Sequence, residues 1–163
     1  MVVVRCTERL LFRLKQFDGE PPEVSTTRLG DWYGNLLRVG QRHALLFIAE
    51  RSRLPVLLPV RAADRLQKAL PAAVGDMLNA VGVPHQAIEQ ELAHMSPMDF
   101  ARTRNRSLLG SLTEFTRLAW FDFMTRPDVP LDVIARELAE VPLILPLKGE
   151  HASEVTRRLL GAK

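Results

Sequence analysis

The apolar positions change their spacing along the chain, and the changes mark out the elements. "MVVVRC" is a β-branched run that predicts a short strand over residues 1–6. Thr7 then stands as an N-cap before "ERLLFRLKQF", where Leu10, Leu11, Leu14 and Phe17 fall on one helical face and Arg9, Arg13 and Gln16 on another. "DGEPPEVSTTRLGD", Asp18 to Asp31, is rich in turn formers without a period and reads as the longest loop. From Trp32 the pattern turns to strands: "WYGNLLRV", a turn at Gly40, the nearly unbroken "ALLFIAE", a turn at "RSR", then "LPVLLPV". Short connections make these an antiparallel meander. Pro55 and Pro59 would each remove a ladder donor, which puts the last strand at an edge or keeps it short.

Helical spacing follows. "RAADRLQKAL" precedes Pro71, which opens a second helix, "PAAVGDMLNAV", closed by Gly82. Pro84 starts a third, "PHQAIEQELAHM", with Ile88 and Leu92 inward and Glu89 and Glu91 outward. "MDFARTRN" alternates, and a long helix runs from Ser107 to about Met124 with Leu108, Leu112, Phe115, Ala119 and Phe123 in one stripe. Leu131 to Val141 is a further helix, "PLILPL" an apolar strand or extended segment, and "ASEVTRRLLGA" a last helix. This order predicts one α+β domain, mainly an antiparallel sheet with a meander and a helical layer.

Composition changes this picture little. The 163 residues suffice for one core, and no apolar window has the length of a membrane span. The amino terminus has no basic region before its apolar run and no small-residue cleavage site, so no secretory signal is read. A single cysteine, Cys6, cannot form an internal disulfide and suits a reducing compartment; a cytoplasmic location is expected. The net charge of +3 is carried almost wholly by arginine, the side chain suited to bidentate phosphate or carboxylate contacts.

"FARTRNRSLLGSLTEF" is the most informative stretch. If its start is a strand, the period of two places Phe100, Arg102, Arg104 and Arg106 on one face. They lead into a helix whose first turn has no acid and whose N-cap is Asn105 or Ser107. Free amides, a positive dipole and neighbouring arginines together make an anion site, with phosphate on a nucleotide or a nucleic-acid backbone as the obvious ligand. The alternative is structural: the arginines form the solvent face of an edge strand, or pair internally with Asp99, Glu114 or acids of the helical cap.

Other constellations offer less. His43, His85, His94 and His151 lack metal-ligand spacing with Cys6 or one another, so no metal is expected. Cys6 reads as buried and inert, although Arg5 beside it leaves a reactive thiolate open. There is no nucleophile elbow and no glycine-rich phosphate loop. Trp32 and Tyr33 follow the loop and either stack on a ligand or fill the core. Trp120, Phe121 and Phe123 cannot all face inward, which leaves Trp120 or Phe121, with Met124, as a partner or dimer contact.

"RCTERLL", "LGDWYGNLL", "RSRLPVLLPV" and "RTRNRSLLGSLTEF" together resemble an uncharacterised family of bacterial single-domain proteins, one of the numbered domains of unknown function. The resemblance implies a shared fold and supplies no activity. In that family Lys-Thr often precedes Asn-Arg-Ser; here Arg102 and Thr103 stand in that place.

The leading expectation is a small binding module rather than an enzyme, without a cofactor, recognising a phosphate-bearing ligand or nucleic acid through Arg102, Arg104, Asn105, Arg106 and Ser107. A protein–protein adaptor or homodimer using Trp120, Phe121 and the Pro-flanked edge is the alternative. A nucleotide- or RNA-acting enzyme ranks third, with Glu114 as the best available base.

Overall fold

The strands are Val2–Cys6 (β1), Trp32–Val39 (β2), Arg42–Ala49 (β3), Pro55–Pro59 (β4) and Met98–Arg102 (β5), and they form one sheet in the order β4-β3-β2-β1-β5. The computed structural model describes residues 1–16, 19, 24–143 and 148–161. Phe17, residues 18 and 20–23 of the expected loop, residues 144–147 of "PLILPL", Ala162 of the expected last helix and Lys163 lie outside the described residues. The meander is antiparallel as its short turns require, with Gly40 at φ +57 supplying the left-handed residue of the first hairpin. β1 then enters beside β2 in parallel, and β5 closes on β1, also in parallel.

The helices are Glu8–Leu14 (α1), Leu66–Ala80 (α2), His85–Ala93 (α3), Arg106–Thr125 (α4), Leu131–Ala139 (α5) and Ala152–Leu159 (α6), with a 3-10 turn over Val60–Arg65. The α+β class expected from the pattern is the one observed. Helices lie against both faces. Asn35 of β2 donates to Thr116 of α4 at 3.4 Å on one side. On the other, Gly34 lies so close to Phe47 and to Leu10 of α1 that an added Cβ would stand 2.9 Å from Leu10. α4 buries Leu108, Leu112, Phe115, Ala119 and Phe123, the stripe its spacing predicts.

Three local expectations need correcting. Pro71 opens no new helix: it lies inside α2, because Leu66, Leu70, Val74, Met77 and Leu78 form one buried face that runs through it. That burial offsets a proline cost of about 3 kcal/mol. Thr7 makes no side-chain cap; its hydroxyl donates to Asn35 Oδ1 at 3.0 Å instead. Glu91, expected outward, is only 2% exposed, and its carboxylate accepts the N–H groups of Arg28 (2.8 Å) and Leu29 (3.0 Å). It clamps α3 onto the segment leading into β2.

The prolines of β4 also behave differently from expectation. Ala49 donates to the carbonyl of Leu54 at 3.0 Å, so the alternation of the ladder turns Leu54, Val56 and Leu58 toward β3 and Pro55, Leu57 and Pro59 away from it. Both prolines therefore occupy edge-facing positions and remove no rung from the sheet. β4 is an edge strand, as the prolines predicted. Among the described residues no helix is long and apolar enough to cross a membrane.

Candidate anion-binding site

The arginine row is divided by the end of a strand. β5 stops at Arg102, Thr103 donates to the carbonyl of Cys6 at 3.3 Å, and Arg106 is already the first residue of α4. The period of two does not carry Arg102, Arg104 and Arg106 onto one strand face, which corrects that expectation. Arg102 makes an ion pair with Glu8 of α1 at 3.6 Å, and its carbonyl accepts Arg5 Nη1 at 3.2 Å. Arg104 and Arg106 are exposed, and among the described residues no carboxylate lies within ion-pair distance of either.

Asn105 is the N-cap of α4. Its Oδ1 accepts the N–H of Leu108 at 3.1 Å while its carbonyl accepts that of Leu109 at 2.9 Å. Ser107 caps nothing; it lies in the first turn. Among the described residues the N–H groups of Arg106 and Ser107 have no acceptor, so two donors of a twenty-residue helix stay open at its positive end.

A guanidinium that the sequence did not point to lies behind this turn. Arg53, in the β3–β4 connection at φ +63, is 7% exposed. Its Nη2 donates to Ser107 Oγ at 3.2 Å, its Nε to Ser111 Oγ at 3.2 Å, and its Nη1 to the carbonyl of Glu50. All three acceptors are neutral. Burial pulls this guanidinium below its ordinary value, with Glu50 and Tyr33 opposing the shift. In the sequence Arg53 is one letter of a turn, "RSR", and only its left-handed backbone and its burial reveal it.

Tyr33 lies beside the cluster. Burial pushes its phenol above the ordinary value; Arg5 and Arg104 oppose this, and Glu50 and Asp31 add to it. The group is a protonated donor at neutral pH. Arg5 pairs with Asp31 at 2.7 Å, with both side chains below a tenth exposed, and Asp31 also accepts Ser25 Oγ at 2.6 Å. A charged residue inside the apolar run "VVVRC" was the available sign of this pair. The ends of β1, β2, β3 and α4 thus gather Arg5, Asp31, Tyr33, Glu50, Arg53 and Ser107.

The remaining candidates separate cleanly. Trp32 and Tyr33 are at most 1% exposed and fill opposite faces of the sheet, the core reading of the two alternatives the sequence offers. Trp120 (48%), Phe121 (60%) and Met124 (56%) are exposed together on α4. Glu114 is paired with Arg117 at 2.6 Å on the surface of the same helix. Cys6 is fully buried, and desolvation pushes its thiol far above the ordinary range, which makes it a poor nucleophile. Among the described residues no group of three or more His, Cys, Asp or Glu side chains could hold a metal ion.

A family model described as a domain of unknown function, DUF6933, matches residues 3–154 of the chain. No curated protein and no solved structure matches it.

Proposed function

From the premise that the chain belongs to the DUF6933 family, which carries no activity with it, we propose that it is a binding module for a phosphate-bearing anion held at the start of α4. The buried guanidinium of Arg53, docked on Ser107 and Ser111 with neutral acceptors only, carries this reading. Among the described residues no carboxylate makes an ion pair with it, although Glu50 acts on it from a distance. The Arg53 charge adds to the helix dipole, to the open amides of Arg106 and Ser107, and to the exposed Arg104 and Arg106. Arg102 has another role, since it ties β5 to Glu8 of α1. The ligand class is a phosphate on a nucleotide, on a nucleic-acid backbone or on a phosphorylated partner.

The test is calorimetric titration with pyrophosphate and mononucleotides at low and high salt. Binding that weakens with salt and is lost in Arg104→Ala/Arg106→Ala, with an unchanged melting temperature, supports the proposal. No binding, or binding indifferent to salt and to both substitutions, refutes it.

A second reading rests on the exposed Trp120, Phe121 and Met124, which suit a protein partner or a second copy of the chain. Sedimentation at several concentrations tests it. Self-association that disappears in Trp120→Ser/Phe121→Ser supports it, and a strict monomer with no co-purifying protein counts against it.

A further inference from the structure

α1 buries Leu10 and Leu11 and turns Phe12 outward, leaving that ring 87% exposed. A single exposed apolar side chain is ordinary on a protein surface, but its surroundings here are not. Arg9 precedes Phe12 by three residues on α1, and Lys15, just past the helix end, lines the same cavity as both. Lys15 is held there by a left-handed backbone, φ 56, at the helix end. Across from them stands Arg38, on the face of β2 that α1 covers. Phe12, Arg9, Arg13, Lys15 and Arg38 line one shallow cavity of about 540 Å³ with Leu36 among its walls. The acid in this cavity, Glu8, is engaged by Arg102, and Arg13 is engaged by Asp64 at 3.3 Å. Among the described residues no carboxylate lies within ion-pair distance of Arg9, Lys15 or Arg38.

We propose that this surface binds single-stranded nucleic acid, with Phe12 as the platform for one base and Arg9, Lys15 and Arg38 as contacts to the flanking phosphates. An exposed aromatic ring between cations that no described carboxylate engages is what a strand with alternating planar bases and phosphates can satisfy at both kinds of site. A duplex hides its base faces and would use the cations alone. An acidic peptide offers carboxylates to the cations but no planar partner for the ring. An anionic membrane needs a broad apolar face, and the one α1 possesses is spent on the core. This surface lies on α1 and β2, apart from Arg104, Arg106 and Ser107, and stands independently of the site at α4.

The experiment is fluorescence anisotropy with a labelled oligodeoxythymidylate about ten residues long, a length within the usual footprint of single-strand binders. Phe12→Ala is expected to weaken binding by about 5- to 150-fold, the range that corresponds to loss of one stacked base. Because the ring is exposed, that variant should melt like the wild type. Arg9→Gln/Arg38→Gln should weaken binding and lower the slope of log affinity against log salt by about 1.4, or about 0.7 for each lost phosphate contact. Phe12→Ala should leave pyrophosphate binding at the α4 site intact, so the two surfaces fail separately. The proposal is overturned if no oligonucleotide binds or if Phe12→Ala binds as the wild type does. It is equally overturned if the duplex, polyglutamate or anionic vesicles compete as well as the single strand.

Discussion

Arg53 and Ser111 meet at 3.2 Å, so a guanidinium from the β3–β4 connection is joined to the second turn of α4. The same guanidinium reaches Ser107 one turn earlier and the carbonyl of Glu50 behind it. One side chain therefore sets both the position of the helix start and much of its charge.

Replacing it tests both roles. Arg53→Ala removes three hydrogen bonds from a charged, buried donor and should cost about 2–3 kcal/mol of stability in urea unfolding. Arg53→Gly loses the same bonds but relieves the left-handed backbone at φ 63. It should be more stable than the alanine variant by about 1 kcal/mol. Equal stabilities would remove the backbone from this account.

The Arg5–Asp31 pair is buried on both sides. Asp31→Ala leaves a guanidinium beneath the surface with no counter-charge and is expected to cost about 3–5 kcal/mol. Ser25→Ala, which removes one neutral donor from Asp31 and the acceptor of the Val3 N–H, should cost about 1–3 kcal/mol by the same measurement. A small effect at Asp31 would mean that water reaches the pair.

Glu91→Ala orphans the amides of Arg28 and Leu29, at about 1–3 kcal/mol. Hydrogen exchange should reveal the loss locally, as faster exchange at those two amides with little change in β3. Uniform acceleration across the sheet would instead indicate global destabilisation.

Arg126 joins the end of α4 to α5 through Asp122 and Glu137. Its hydrogen bond holds the Glu137 carboxyl below the usual glutamate value. A depressed carboxyl contributes stability that is present above its unfolded value and is lost as pH falls through the folded one. The melting temperature of the wild type should therefore exceed that of Arg126→Gln near neutral pH, and the gap should close in acid below the lowered Glu137 value. The exposed geometry keeps the gap modest and sensitive to salt. A gap that persists in acid would assign the effect to packing.

These residues differ in how readable they were. The stripe of α4, the meander and the Asn105 cap were legible because each depends on local spacing or on a residue acting on its own backbone neighbours. Arg53 and Glu91 were not, because a charged residue in a turn or on a helix reads as solvent-facing until distant backbone groups supply its partners. The break at Arg102 depends on where β1 ends, since β5 has a neighbour only as far as Cys6. Alternation in the sequence continued past the point at which there was a strand to pair with. Phe12 was assigned to no face in the sequence, and its meaning comes from Arg38, which β2 brings to the same cavity.

Val4 pairs with Trp32 on one side and with Phe100 on the other. The strand between β2 and β5 is thus completed by a segment that lies more than ninety residues further along the sequence. Until β5 emerges, "VVVRC" has one unfilled side, and a nascent chain halted among the helices of the middle would carry an adhesive apolar ribbon. Long-range closure of this kind is also slow to find. The meander can form early from neighbours in sequence, whereas the arrangement around the start of α4 waits until residues 98–111 join it, so the two halves of the sheet are acquired in turn.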